Sequence, residues 1–347
     1  MDPPDTERPR DGLAERLPDG RLGCLVCQRA CALAEGGLGF CRVRRNEAGR
    51  VVPLSYGRVA ALHLANVERK PLYHFYPGEV MLSVGGLGCN FRCPGCQNRD
   101  LSRADVPDAL ASLPYTAPEY LVRMAVEHDL LGVSWTYNEP AIWFEYTLDG
   151  SRLAREAGLM TNYVTNGSLT ARALDTIGPY LDAYRVDVKG FSEDTYRRVA
   201  GFGGFRGILD VAERAAHKWG MHVECVTNVT PGMNDSDDEL RAIAGWIARS
   251  LGPDVPWHVT AFAPHGDFAH LPRTPVASLE RARRIGVDEG LRFVYLGNVP
   301  GHRAENTWCP GCGALLIQRT GLGVVENRLA PGGACPRCSR PVPGRFR

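Results

Sequence analysis

Between about residue 81 and 299 the chain alternates short apolar or β-branched runs with longer amphipathic segments. The runs are VMLSVGG, GVSWTYN, TNYVTNG, AYRVDVKG, HVECVTNV, WHVTAFA and RFVYLGNV. Between them lie helical patterns such as APEYLVRMAVEHDLLG, PAIWFEYTLDGSRLAREAG and DDELRAIAGWIARSLG. The third opens with Asp235, Ser236 and three further acids, which suit a helix N-terminus. Such alternation predicts βαβ units and a parallel sheet. Polar residues collect at the C-terminal ends of the runs: Cys89, Asn138 and Glu139, Thr165 and Asn166, Asp187 and Lys189, Asn228. A parallel barrel gathers such ends onto one rim, where its active site lies. An open doubly wound sheet would instead carry a Gly-rich phosphate turn, and VGGLGCN lacks the G-x-G-x-x-G spacing. The expected fold class is therefore α/β, a partial barrel.

Cysteine narrows the chemistry. Eleven of the twelve cysteines fall in three clusters. These are Cys24, Cys27, Cys31 and Cys41; then Cys89, Cys93 and Cys96; then Cys309, Cys312, Cys335 and Cys338. The isolated Cys225 reads as a small buried hydrophobe. The first twenty residues, rich in Pro, Asp and Arg, resemble no export signal, and no apolar run reaches about 18 residues. A cytoplasmic chain is expected, and there close C-x-x-C pairs favour metal ligation over disulfides. The expected organisation is a mobile tail over 1–20, a four-cysteine module and lead-in over 21–80, the barrel over 81–300, and a C-terminal module over 301–347. With 40 basic and 39 acidic residues the formal charge is +1, so no global field points to nucleic acid or an anionic membrane.

Thiolates select zinc, copper(I) or iron–sulfur clusters. Cys309 and Cys312, then 22 residues, then Cys335 and Cys338, read as the two knuckles of a zinc ribbon. Rubredoxin-like iron has the same ligands. Cys24, Cys27, Cys31 and Cys41 could close a zinc site, the favoured reading, or bind an auxiliary iron–sulfur cluster. The middle set stops at three. A closed zinc site wants four ligands, whereas a [4Fe–4S] cube on three thiolates keeps one iron for an exogenous ligand. Gly88, Pro94 and Gly95 allow a tight loop around it. The competing reading is zinc completed by a distant residue.

GCNFRCPGCQN resembles the cluster loop of radical S-adenosylmethionine (SAM) enzymes, in the branch near the pyruvate formate-lyase activating enzymes. YGRVAALHL, ERKPLYHFYPGE, TYNEPAIWFEY, VTNG, VDVKGF, PWHVTAF and VYLGNV are similar to the radical SAM member of the AmmeMemoRadiSam group, from about Cys24 to Cys338. The resemblance implies a partial (β/α)6-type barrel, a [4Fe–4S] cluster on Cys89, Cys93 and Cys96, and reductive cleavage of SAM to a 5′-deoxyadenosyl radical that abstracts hydrogen from a protein or small molecule. It further implies Memo-type and AMMECR-type partners and an electron donor such as flavodoxin or ferredoxin. Glu139 would accept the SAM amino group, although a helix start explains it too. Thr165, Asn166, Asp187 and Lys189 would line the carboxylate end, with Asp187 helping to hold a monovalent cation. An internal Asp187–Lys189 ion pair is the plainer alternative. His258 would contact the adenosyl group, or serve only as a core histidine. Family members usually carry an aromatic where this chain has Gly95, and adenine would need another partner. Lys70, Tyr73 and His74 are candidates to face the substrate.

Three functions compete. The first is a radical SAM enzyme, with a glycyl-radical activase as its nearest specific version. The second is a barrel lyase using Lys189 as Schiff-base nucleophile. The third is a non-enzymatic zinc-ribbon protein binding nucleic acid, which the neutral charge opposes.

Overall fold

The computed structural model describes residues 13–347. Of the expected tail, residues 1–12 lie outside the described residues. The remainder is folded: β1 (Ala14–Arg16) pairs antiparallel with β2 (Leu22–Cys24), which pairs with β3 (Ala32–Leu33). Leu13 is buried in the main core, and that burial pins the arm. A hairpin of β4 (Arg44–Glu47) and β5 (Arg50–Pro53) completes the N-terminal module.

The centre is one eight-stranded sheet. β6 (Ala61–Asn66) runs antiparallel to β7 (Val80–Gly85). Then follow, all parallel, β8 (Gly132–Trp135), β9 (Met160–Thr165), β10 (Ala183–Asp187), β11 (His222–Val229), β12 (Trp257–Ala261) and β13 (Val294–Gly297). All seven runs read from the sequence are strands in this sheet. The helices also fall where the patterns placed them, at Pro118–Glu127, Phe144–Glu156 and Asp237–Trp246. Ser236 caps the last, its side chain accepting from the Glu239 N–H, which satisfies one of the helix's orphan donors.

Alternation along each strand divides the sheet into two faces. Leu82, Val84, Val133, Trp135 and Tyr163 join the large core that includes helix residues Leu121, Ala125 and Tyr146. Their neighbours Ser83, Ser134 and Asn162 therefore face the other way, into the barrel. At the barrel's N-terminal end, residues 67–76 plug the opening, with Val67, Leu72 and Phe75 packed on Met81 and Ala183.

The C-terminal module seals that plug. It is a three-stranded antiparallel sheet of β14 (Thr307–Trp308), β15 (Leu315–Thr320) and β16 (Gly323–Asn327). Arg319, fully buried, faces Glu68 at 3.5 Å, donates to the Tyr73 carbonyl at 2.8 Å and lies 4.1 Å above the Tyr73 ring. Among the described residues no helix is long and apolar enough to cross a membrane.

Candidate active site

The three-cysteine loop leaves β7 at the C-terminal rim. Gly88 has φ +83°, and a Cβ there would meet the Cys41 carbonyl oxygen at 2.6 Å, so this turn demands glycine. Asn138 clamps it from the next strand, accepting from the Gly86 N–H at 3.1 Å and donating to the Gly88 carbonyl at 2.9 Å. Arg92 donates to the Cys89 carbonyl at 2.6 Å and Arg103 to the Cys93 carbonyl at 2.9 Å. The Phe91 N–H points at Cys89 Sγ (3.3 Å), and the Ser102 hydroxyl lies 3.4 Å from Cys96 Sγ. Burial pushes the Cys89 thiol well up, with Glu139 and Cys93 adding to the shift. Burial also raises Cys93, against the opposing charge of Lys189. Three partly buried thiol groups share one loop, and burial disfavours the anions of Cys89 and Cys93 until a cation neutralises them; the donor set suits iron–sulfur binding.

Glu139 is buried just past β8. It accepts from the Thr165 hydroxyl at 2.7 Å, the Asn166 N–H at 2.7 Å and the Ala141 N–H at 3.0 Å. Burial nonetheless pushes its carboxyl up to about 7. The helix-start and cofactor readings thus meet in one residue, because Glu139 caps the turn at Pro140 while its charge lacks a cation. Asn166 continues the set by donating to Asn90 in the cysteine loop (2.9 Å), and Asn90 donates to the Ser168 hydroxyl (2.6 Å).

Just past the end of β10, Lys189 Nζ lies 2.8 Å from Asp187 Oδ2, and Arg185 on the strand pairs with Oδ1. Burial works against both charges. Arg185 and Lys189 still hold Asp187 below the usual carboxylate range, and Asp187 holds Lys189 above the usual amine range. Two expectations change here. Both Asp187 oxygens are engaged by side-chain cations, so the site does not fit the monovalent cation. A lysine held protonated is a poor Schiff-base nucleophile, which removes the basis of the lyase reading.

His258 departs from expectation as well. Its Nε2 lies 2.6 Å from Glu224 Oε2, and its ring stacks on Tyr295 and meets Tyr73 edge-on. Glu224 also accepts from the His74 N–H at 2.8 Å and lies 2.9 Å from His222 Nε2. The imidazole is committed to this buried core network, which absorbs Tyr73 and His74 too. Neutral His74, its pKa lowered to about 4 by burial, sits 2.6 Å from the Tyr295 hydroxyl. Cys225 is fully buried, as expected.

The missing aromatic at Gly95 has a spatial answer. A Cβ at Gly95 would lie 3.0 Å from the Phe262 ring and 3.1 Å from Phe268. Two rings from the end of β12 and the following turn occupy the space that a side chain at 95 would fill.

Sequence reasoning missed several residues. Asn90 and Ser168 carry no motif beyond their polarity. Tyr137 adopts φ +74°, a conformation costly for a bulky residue and frequent at functional sites. Its carbonyl accepts from Asn98 of the cysteine loop at 2.5 Å. Below it, Ser83, Ser134 and Asn162 stand in register on β7, β8 and β9. All three are buried. The Oγ atoms of Ser83 and Ser134 and both amide atoms of Asn162 find no hydrogen-bond partner in the chain. Buried polar atoms are rarely left so. One small polar residue within each of three neighbouring strand runs was the available signal.

In the C-terminal module, Cys309 and Cys338 bring their sulfurs to 3.5 Å, and Cys312 and Cys335 to 3.7 Å. All four lie within 4.8 Å of one another. A tetrahedral zinc with Zn–S of about 2.3 Å requires sulfurs roughly 3.8 Å apart, so the set fits that ion.

Residues 84–247 match the family model described as the radical SAM superfamily. An uncharacterized protein of Methanocaldococcus jannaschii is 39% identical over 307 residues, covering 88% of this chain and 90% of that protein. The pyruvate formate-lyase-activating enzyme of Clostridium pasteurianum is 26% identical over 168 residues, covering 46% of this chain and 66% of the other. Among solved structures, a radical SAM methyltransferase from Sphaerobacter thermophilus aligns at 18% identity with a TM-score of 0.46, covering 65% of this chain and 68% of that one.

Proposed function

We propose that this chain, which belongs to the radical SAM superfamily, reductively cleaves SAM at a [4Fe–4S] cluster held by Cys89, Cys93 and Cys96, the resulting 5′-deoxyadenosyl radical taking a hydrogen atom from its substrate. The observation that carries this reading is the union of three partly buried thiols with one buried, under-compensated carboxylate at the same barrel rim. Each residue then has a task. Arg92, Arg103 and Asn138 hold the loop carbonyls and so fix the path of the cysteine loop. Glu139, oriented by Thr165 and Asn166, would accept the SAM amino group. Lys189, kept protonated by Asp187, would offer its ammonium to the SAM carboxylate. Phe262 and Phe268 stand where the family's aromatic would meet adenine. The unpartnered row at Ser134 and Asn162 supports a substrate with hydrogen-bonding groups that enters the lumen.

The finer membership, in the AmmeMemoRadiSam group with Memo-type and AMMECR-type partners and a flavodoxin- or ferredoxin-class donor, rests on the motifs quoted above. The likeness to the Clostridium activating enzyme favours a glycyl-radical activase as the second reading. In the C-terminal module, Cys309, Cys312, Cys335 and Cys338 would hold zinc as a structural ion.

The test is anaerobic. Protein reconstituted with iron and sulfide, given SAM and dithionite, should release 5′-deoxyadenosine, and Cys93→Ala should release none while keeping its zinc. Equal nucleoside from both proteins would contradict the assignment.

A further inference from the structure

We propose that Cys24, Cys27, Cys31 and Cys41 hold a second [4Fe–4S] cluster, and that this cluster passes electrons to the one at Cys89, Cys93 and Cys96 through Asn90. This reverses the expectation of zinc at the N-terminal set.

Among the described residues, the C-terminal cysteines are the one group of three or more cysteine, histidine or acidic side chains whose ligand atoms all approach within 4.8 Å. No three sulfurs of the N-terminal set do so, and neither do the three of the radical SAM loop. Yet all four N-terminal cysteines line a single internal cavity, together with Arg29, Arg44 and Asn90. Four sulfurs closed on zinc would sit about 3.8 Å apart, as the C-terminal pairs nearly do at 3.5 and 3.7 Å. A cube carrying one thiolate on each corner needs the wider frame, with iron and sulfide filling the middle. The chain thus has one closed thiol set and two open ones.

The module is built onto the barrel rim: Cys27 bridges Leu169, the Gln28 N–H donates to the Ser168 carbonyl, and Arg29 donates to the Asn90 carbonyl at 2.7 Å. Asn90 lines the N-terminal cavity and puts its Oδ1 3.9 Å from Cys89 Sγ. Its side chain therefore borders both thiol sets. On the outer side, Cys31 is the most open of the four and accepts from the Phe40 N–H at 3.5 Å. The ring of Phe40 is exposed and carries the guanidinium groups of Arg29 and Arg92 at 3.7 and 4.4 Å. A one-electron donor of the flavodoxin or ferredoxin class, itself oxidised by one electron, would reduce the N-terminal cluster from the 2+ to the 1+ state on this side. The same electron then moves inward, restoring the 2+ state. No bond forms or breaks in the relay.

The direction of flow rests on the radical SAM reading, but the existence of the cluster does not. The experiment uses the full chain reconstituted anaerobically, with iron, acid-labile sulfide and zinc counted and the Mössbauer spectrum recorded. The Cys89→Ala/Cys93→Ala/Cys96→Ala variant should keep about four iron and about four sulfide, with the doublet of a [4Fe–4S]2+ cluster that SAM leaves unchanged. The Cys27→Ser/Cys31→Ser variant should keep the other four, in a spectrum that SAM alters. Wild type should contain both populations, which decides the matter if either variant fails to fold. Zinc without sulfide in the triple variant, or a single population of about four iron in wild type, would overturn the proposal. SAM cleavage driven by a reduced flavodoxin should fall at least tenfold in Cys27→Ser/Cys31→Ser, with dithionite restoring it. Equal loss with both reductants would overturn the relay. Iron retained by the triple variant in a wild type that cleaves no SAM would sink the proposed activity and leave this cluster standing.

Discussion

Replacing Glu139 with glutamine removes a charge while keeping the shape of the cap. Burial raises the Glu139 carboxyl from 4.5 to about 7, so in the folded protein the anion predominates only above about 7. Bound thiolates, being anions nearby, act in the same direction. A raised carboxyl gives stability that is fully present below about 4.5 and is lost as pH rises through about 7. The difference, 7 − 4.5 or about 2.5 units, amounts to roughly 3 kcal/mol at about 1.4 kcal/mol per unit. A cationic group on SAM would repay that cost. One unit below the carboxyl pKa only about a tenth of the molecules are ionised, so SAM affinity at pH 6 should be about tenfold weaker than its plateau. In Glu139→Gln the plateau should drop about ten- to a hundredfold, the range for a hydrogen bond to a charged group, and the Glu139 contribution to the pH slope should vanish. Titration calorimetry on cluster-loaded protein at pH 6, 7 and 8, with iron counted in parallel, reads both effects. A wild-type profile flat across this range, or a variant following the same slope, would refute the assigned role.

Arg319→Met should cost about 3–5 kcal/mol in urea unfolding, because it strands the buried Glu68 carboxylate, and adding Glu68→Gln should recover most of the loss. Equal destabilisation by the single and double variants would count against that pair. Gly95→Phe should destabilise by about 1–3 kcal/mol through overpacking and should be relieved by Phe268→Ala, as thermal unfolding can measure. Chelating the C-terminal ion should make residues 301–347 protease-sensitive before the barrel, and readded zinc should reverse this; unchanged cleavage would argue against a structural ion there.

Periodicity and spacing exposed much of this molecule. The seven strand runs and the Ser236 cap were legible because period-two burial and capping chemistry are local. Glu139, Thr165 and Asn166 were legible as strand-end polar residues, and the structure joins them through hydrogen bonds 26 and 27 residues apart in sequence. His258 was legible as a strand residue, but its partner was not, since Glu224 is 34 residues away. The replacement for the aromatic missing at Gly95 was invisible for the same reason, because Phe262 and Phe268 follow β12, which is not a sheet neighbour of β7. β6 escaped notice because ALHLAN is exposed or half-buried throughout and carries little apolar alternation. Residues 13–20 read as tail from their composition, but the burial of Leu13 and pairing of Ala14 with Cys24 override it.

The most direct measurement is the low-temperature EPR spectrum of the dithionite-reduced triple variant Cys24→Ser/Cys27→Ser/Cys31→Ser, recorded with and without SAM. On this account the loop at Cys89, Cys93 and Cys96 would be the one iron–sulfur site remaining in it among the described residues. The account predicts a [4Fe–4S]1+ signal whose g-values move when SAM is added, because one iron has no protein ligand. A spectrum that SAM leaves unmoved, or a loop that takes up no iron and sulfide, would contradict it.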